Sequence, residues 1–295
     1  MTRKLTVIIL IILSMVACSC YASDDVIPGI FFTIDSSDLN PYPDLPDTWL
    51  NILLLGTDDR DADLEDGRSD ATIIASLNTI TGEIKLASIA RDTFVDIPGT
   101  YIQDRINTAQ RYGGPNLAMK TLNTVFEMNI KKYVRLNMSS LEKIIDILGG
   151  VTINLQAGEG GYISTRLSGV RGKTRLSGEE ALAYSRIRYL DNDFGRTDRH
   201  RTLLIAMYNE VKKNPTPQKM LELTQAILPH VTTNLNLIEI LSITTSMMES
   251  GLKEIKTLSL PIDGSYKFAS DKGRSVLYIE FEPNIKALHK FIYGN

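Results

Sequence analysis

The segment between Arg186 and Arg201 combines five arginines with three aspartates and contains no lysine. The five are Arg186, Arg188, Arg196, Arg199 and Arg201, and the aspartates are Asp191, Asp193 and Asp198. Arginine presents a planar fork of donors that can bind two phosphate oxygens at once, whereas lysine acts as a point charge. Two interpretations fit this composition. Either the arginines bind a doubly charged or diphosphate ligand, or the aspartates neutralise them in a structural salt-bridge network.

The spacing of these arginines could bring several of them to one place. If residues 184–189 are extended, Arg186 and Arg188 project from the same side, because side chains alternate along a strand. If a helix begins near Thr197, Arg196 lies at its start. Guanidinium groups that arrive from two elements would suit a diphosphate ligand.

Acidic residues lie at the ends of predicted neighbouring strands. Asp58 directly follows the first strand, Asp70 opens the second, and Arg91 with Asp92 closes the third. Strand ends in α/β proteins are where ligands and hard cations bind. Two carboxylates do not complete a magnesium shell, so phosphate oxygens and water would supply the rest. The alternative is that Asp58 is a turn residue and Asp70 caps a turn or helix.

Apolar runs and turn or capping patterns predict the elements that position these residues. The predicted strands are Leu50–Gly56, Ala71–Leu77, Ile84–Ile89, Tyr133–Leu136, Val151–Leu155, Ile255–Leu260 and Val276–Phe281. The predicted helices are Leu117–Phe126, one opening at Ser139, one after a capping pattern at Ser177 and Glu180, one after the arginines, Gln218–Ile227, Leu237–Met248 and a short one after Pro283. Residues 157–173 are predicted to be an exposed loop. This alternation predicts one α/β domain whose central sheet is covered by helices on both faces.

Residues 1–22 are predicted to be an export signal or membrane anchor. Arg3 and Lys4 precede an apolar run that is followed by small residues, which is the pattern of an export segment. Three fates stay open: an uncleaved anchor, cleavage after Ala22, or lipid attachment at Cys18. All three predict that the rest of the chain lies at the extracytoplasmic face of the cell membrane.

The composition limits what the exported part can be. Residues 23–47 are predicted to be a linker, and residues 48–295 form one domain. The 295-residue chain carries a net charge of −3, so it has no general basic field for nucleic acid. Its two cysteines are Cys18 and Cys20, which leaves the domain without disulfides or thiolate metal sites.

Seven sequence blocks resemble the LytR-CpsA-Psr family of cell-envelope attachment proteins. These blocks, in order, are Ile52–Arg60, Gly67–Thr72, Ser88–Val95, Ile106–Ala109, Asp146–Val151, Leu176–Arg188 and Asp193–Arg201. They extend over most of the exported chain. Jointly they are specific, because the same order and spacing would not arise by chance.

The resemblance implies a catalytic domain at residues 48–295, with a central mixed sheet and an apolar tunnel between sheet and helices. It implies a transferase that moves a glycopolymer from a polyprenyl-pyrophosphate carrier to a sugar hydroxyl of peptidoglycan, with pyrophosphate cleavage as a side activity. Asp58 and Asp70 would hold Mg²⁺. The pyrophosphate would be bound by Arg91, Arg186, Arg188, Arg196 and His200, with further phosphate contacts from Arg60, Arg68 and Arg199. Asp92 is a candidate base because it follows Arg91 on the rim of the site. Alternatively, the backbone turns Asp92 away from the site to bind a neighbouring amide.

Two residues depart from the family pattern. Ala90 stands where the family usually has proline, which is expected to loosen the turn before Arg91. His200 stands where the family usually has glutamine, one helical turn after Arg196. It would donate to phosphate more strongly when protonated, which would make activity pH-dependent. Alternatively, His200 only supports the arginines from behind.

Two other functions compete with the transferase. A non-catalytic binder would hold the same lipid-linked glycans for another enzyme, and Asp58→Ala would then spare its role in cells. A transcriptional regulator is the third hypothesis, and the export segment and acidic charge argue against it.

Overall fold

A computed structural model describes residues 32–57, 67–187, 193–213, 222–223, 225–236, 238–240, 242–243, 250 and 253–294. The predictions for the N-terminal segment, for Asp58, Arg60 and Arg188, and for parts of the two helices predicted between residues 218 and 248 lie outside these residues. Among the described helices, none has both the length and the apolarity that crossing a membrane would require.

Short strands and helices alternate through the described chain. The strands are β1 Trp49–Thr57, β2 Ser69–Asn78, β3 Ile84–Ile89, β4 Phe94–Ile97, β5 Ile102–Arg105, β6 Lys132–Asn137, β7 Val151–Leu155, β8 Gly172–Leu176, β9 Thr232–Thr233, β10 Lys256–Leu260, β11 Tyr266–Asp271 and β12 Arg274–Ile279. The helices are α1 Thr108–Phe126, α2 Met138–Ile147, α3 Glu159–Ile163, α4 Gly178–Ser185, α5 Asp193–Lys212 and α6 Phe281–Tyr293, with 3₁₀ turns at Thr165–Leu167 and Leu228–His230.

The central sheet is mixed and has six strands in the order β10-β3-β2-β1-β6-β9. Strand β2 pairs antiparallel with both β1 and β3. Strands β6 and β10 add in parallel to β1 and β3. The prediction of one α/β domain with a central mixed sheet is therefore confirmed.

Each face of the sheet carries its own apolar core. On one face, Leu54 and Ile73 pack with Leu203 and Met207 of α5. On the other face, Leu53 packs with residues of α1 and α6. Consecutive residues of β1 thus enter opposite cores, which is why its central stretch Ile52–Leu55 is continuously apolar rather than alternating.

Local signals explain several boundaries. Gly82 has φ 68° and closes the predicted hairpin between β2 and β3. The capping box at Ser177 and Glu180 is confirmed, with both reciprocal hydrogen bonds present. The helix expected to open at Ser139 instead begins at Met138, because Asn137 accepts from the Ser140 amide and caps it.

Four sequence predictions need correction. Residues 157–173 are not a loop throughout, since α3, a 3₁₀ turn and the start of β8 lie there. Tyr184 is helical, so the segment 184–189 is not extended along its whole length. The helix expected near Thr197 begins one turn earlier. Helix α1 is longer than predicted because a turn from Thr108 precedes a kink at two glycines.

Candidate active site

The ends of three central strands meet at one rim of the sheet. Thr57, the last residue of β1, pairs with Ser69 at the start of β2. Thr72 of β2 pairs with Ile89 at the end of β3. Antiparallel pairing therefore places the end of β1, the start of β2 and the end of β3 side by side.

Arg91 and Asp70 form an ion pair at this rim. Arg91 Nη1 donates to Asp70 Oδ1 over 2.9 Å, and both side chains are largely shielded, with 22% and 13% exposed. The backbone supports the pair, since the amide of Ser69 donates to Asn107 O and the amide of Asn107 donates to Arg91 O. Backbone hydrogen bonds through Asn107 thus link the two segments that carry these groups.

Asp92 lies on the other side of Arg91 and is 8% exposed. Its Oδ1 atom is 3.6 Å from Arg91 Nε and accepts from Arg105 Nη1 over 3.2 Å. The result is a continuous row of alternating charge, Asp70–Arg91–Asp92–Arg105. The sequence prediction placed the first three together but gave Arg105 no role. The signal was present, because Arg105 directly precedes the Ile106–Ala109 block.

The Asp70 carboxyl is held in its ionised form. Burial raises the pKa of Asp70, but the charges of Arg196 and Arg91 and the Arg91 hydrogen bond outweigh burial. The net effect lowers the pKa below its ordinary value. A carboxylate that is charged at neutral pH suits a hard cation.

Helix α5 brings Arg196 and His200 to the same place. Both are buried, at 4% and 8% exposure, and both act electrostatically on Asp70. Burial and the charge of Arg196 lower the pKa of His200 from 6.5 to about 4, against the opposing effect of Asp70. His200 is therefore neutral at neutral pH, so the expected stronger donation by a protonated ring does not operate there.

Two of the other arginines are engaged in structural contacts. Arg199 Nε donates to Glu159 Oε1 over 3.0 Å and its Nη1 to Ile187 O over 3.1 Å, with both charged side chains buried. Arg201 pairs with Asp198 at 2.6 Å. For these two residues the salt-bridge interpretation fits better than phosphate contact, because their donors are already directed at protein acceptors.

Of the remaining predicted phosphate-binding residues, Arg186 and Arg68 can be located in the fold. Arg186 is the exposed C-cap of α4. Arg68 is half-buried next to the start of β2. Asp58, Arg60 and Arg188 lie outside the described residues.

An apolar pocket opens between the sheet and helices α2 and α5. Its cavity volume is about 80 Å³. The lining comes from β1, β2, β6, α2 and α5, and includes Leu54, Ile73, Leu141, Leu204 and Met207. His200 also lines the pocket, so one imidazole joins the apolar wall to the charged cluster. An amphiphile with a charged head and an apolar chain matches this arrangement.

The turn before Arg91 is not loosened by Ala90. The Ala90 amide donates to Leu260 O over 2.8 Å, a bond that proline could not make. Thr93 returns two hydrogen bonds to Ala90 O, from its amide and its hydroxyl. These three hydrogen bonds fix the turn at Ala90. In relatives with proline at this position, the restricted φ of the proline ring would have that effect.

The described residues contain no group of three or more potential metal ligands. Asp70 supplies one ionised carboxylate, and Asp58 would be its partner at the end of β1. Magnesium is commonly bound through one or two carboxylates plus phosphate oxygens and water. The donors among the described residues thus fit magnesium bound together with a phosphorylated ligand.

Comparison with known proteins identifies the family. The model of the LytR_cpsA_psr family matches residues 34–287, which is most of the chain. The chain is 31% identical over 247 residues to the protein named regulatory protein MsrR of Staphylococcus aureus strain COL, covering 82% of this chain and 74% of that protein.

A second relative is named for an activity. The chain is 38% identical over 191 residues to the polyisoprenyl-teichoic acid–peptidoglycan teichoic acid transferase TagU of Enterococcus faecalis. That match covers 63% of this chain and 61% of the relative, so the chain spans about three fifths of its length. Among solved structures, one described as TagT bound to LI-WTA aligns with a TM-score of 0.68 at 24% identity. It covers 89% of this chain and 93% of that chain, which shows a shared fold.

Proposed function

Because this chain belongs to the LytR-CpsA-Psr family, we propose that it is a glycopolymer transferase acting on peptidoglycan at the extracytoplasmic face of the cell membrane. Its donor is a glycan linked through pyrophosphate to a polyprenyl lipid. Residues 1–22 attach it to, or export it across, that membrane. The transferase named among its relatives supports the reaction class.

One observation carries the proposal: a buried cluster of arginines around an ionised carboxylate lies at the end of an apolar pocket. Arg91 and Arg196 supply the guanidinium groups, Asp70 the carboxylate, and His200 belongs to both cluster and pocket. Guanidinium groups in a shielded site bind diphosphate oxygens strongly. The neighbouring pocket would take the first part of a polyprenyl chain.

These positions support the following reaction. The acceptor hydroxyl oxygen forms a bond to the phosphorus that carries the glycan, and the bond from that phosphorus to polyprenyl phosphate breaks. The hydroxyl proton goes to the Asp92 carboxylate. Arg91 and Arg196 stabilise the charge that develops on the departing polyprenyl phosphate. Water in place of the acceptor would give pyrophosphate cleavage as a side reaction.

Magnesium would be held by Asp70 with Asp58, and would neutralise negative charge on the phosphate oxygens when bound. Arg91 already occupies one oxygen of Asp70, so that carboxylate can serve both the cation and the arginine. Arg186 and Arg188 would add phosphate contacts from the segment after α4.

The non-catalytic binder shares every one of these contacts except the use of Asp92 as a base. It is kept as the second candidate because tight diphosphate binding alone would satisfy the arginine cluster. Loss of transfer with retained donor binding in Asp92→Asn would support the transferase.

Binding of polyprenyl diphosphate to the full chain in detergent, with and without magnesium, tests the proposal. We expect magnesium-assisted binding that Arg91→Ala weakens at least about tenfold. Arg201→Ala is the matched control, because it removes an arginine engaged with Asp198 and Ser259. Absence of binding in the wild type would refute the proposal.

A further inference from the structure

Strands β4 and β5 and the β11–β12 hairpin form a ribbon beside the active site. Phe94 of β4 pairs with Arg105 of β5. A parallel bridge between Thr93 and Leu277 joins β4 to β12. The amide of Leu277 also donates to Asp92 O over 2.8 Å. The strand order β5-β4-β12-β11 therefore begins at the ion-pair row and leads away from it.

A row of four side chains crosses one face of this ribbon. Arg105 lies opposite Phe94, and Tyr278 lies opposite Lys267. The rings of Phe94 and Tyr278 meet edge to face, with centroids 5.3 Å apart. Tyr278 is 46% exposed, Lys267 is exposed, and the other two are half-buried. The row thus offers two aromatic rings between two cations.

The position of the row decides what it can bind. In phosphoryl transfer the attacking and leaving oxygens lie roughly in line with phosphorus. If the leaving polyprenyl phosphate is on the pocket side of the cluster, the acceptor must approach from the opposite side. Asp92, the candidate base, is tied to that side through Arg105 and Leu277.

We propose that Phe94 and Tyr278 form a stacking platform for the acceptor glycan, with Arg105 and Lys267 at its two ends. Aromatic rings stack on the C–H faces of sugar rings, and partly exposed rings beside a polar site suit ligands with apolar and polar faces. This inference rests on the proposed function, because it assigns the side on which that reaction receives its acceptor.

The test measures binding of a soluble tetrasaccharide of alternating N-acetylglucosamine and N-acetylmuramic acid to the full chain. Tyr278→Ala should weaken binding about tenfold, and Tyr278→Trp should retain it. Phe268→Ala is the matched control, because Phe268 is 64% exposed on the same hairpin. It pairs with Leu277 rather than Tyr278, so it belongs to the other face. This control should bind like the wild type.

Two results would overturn the platform: unchanged tetrasaccharide affinity in Tyr278→Ala, or an equal loss in Phe268→Ala. Polyprenyl diphosphate binding is measured on the same samples. If the wild type binds the diphosphate but not the tetrasaccharide, only the platform is refuted. If it does not bind the diphosphate, the proposed function itself is refuted.

Discussion

Arg91 reaches across the rim of the sheet to donate to Asp70 over 2.9 Å, although the two residues are 21 positions apart in the chain. The contact joins the start of β2 to the turn after β3. Together with the charge of Arg196 it keeps Asp70 ionised, and it orients Arg91, so the proposed cation site and the proposed anion site lie next to each other. The charge of Asp70 and its hydrogen bond to Arg91 can be tested separately by substitution.

Asp70→Asn should remove the cation site and keep the hydrogen bond. The amide oxygen can still accept from Arg91, but the charge is lost. We expect transfer activity to fall at least about 100-fold and the dependence of donor binding on magnesium to disappear. The fold should stay intact by circular dichroism. The control is Asp198→Asn, whose carboxylate is 55% exposed. Retained magnesium dependence in Asp70→Asn would contradict the assignment.

Leu204→Trp should narrow the apolar pocket from the side of α5. We expect weaker binding of polyprenyl diphosphate, with binding of inorganic pyrophosphate unchanged, because the arginine cluster is untouched. Leu204→Met conserves volume and is the control. Titration of both ligands against each variant measures the effect, and an equal loss for pyrophosphate and polyprenyl diphosphate would exclude this pocket as the lipid site.

Arg199→Met should destabilise the protein rather than weaken phosphate binding. It leaves Glu159 buried without its partner, and breaking such a pair costs about 3–5 kcal/mol. Denaturant titration measures the free energy of unfolding of the wild type and the variant. Binding of diphosphate by the folded protein is measured separately. A selective loss of diphosphate affinity at unchanged stability would return Arg199 to the phosphate site.

His200 should make stability rise with pH between about 4 and 6.5. Its folded pKa of about 4 is below the unfolded value of 6.5, so in this interval the unfolded chain binds more protons. The charges that face it are Arg196 on its own helix, and Asp70 and Arg91 from the sheet side. His200→Gln should flatten this part of the profile relative to wild type. Identical slopes for the two proteins would contradict the buried neutral state.

The sequence predicts the central part of the fold because several signals agree there. The strand Ile84–Ile89 follows a glycine turn and is mostly apolar, with Lys85 and Ser88 as its polar residues, and its predicted bounds match the structure. Strands β4 and β5 were missed because each has four residues, and neither forms an apolar run. Register with neighbours, rather than local preference, makes them strands.

The site could be predicted in part for a similar reason. Asp70, Arg91 and Asp92 stand at strand ends, so strand order alone brings them together. The structural role of Arg199 could not be predicted from the sequence, because its partner Glu159 is 40 residues away in a segment that the sequence predicts to be a loop. The contact between the rings of Phe94 and Tyr278 could not be predicted either, because it depends on a bridge between segments that are far apart in the sequence.

The central claim is that the charged cluster transfers a glycopolymer rather than only holding it. The most direct measurement incubates the full chain with a labelled polyprenyl-pyrophosphate-linked glycopolymer, magnesium and peptidoglycan, and counts label joined to the wall. We expect the wild type to transfer the label and to release polyprenyl phosphate. We expect Asp92→Asn to lose both activities while it still binds the donor. Donor binding by the wild type without any label transfer would contradict it and leave the chain as a binder of lipid-linked glycans.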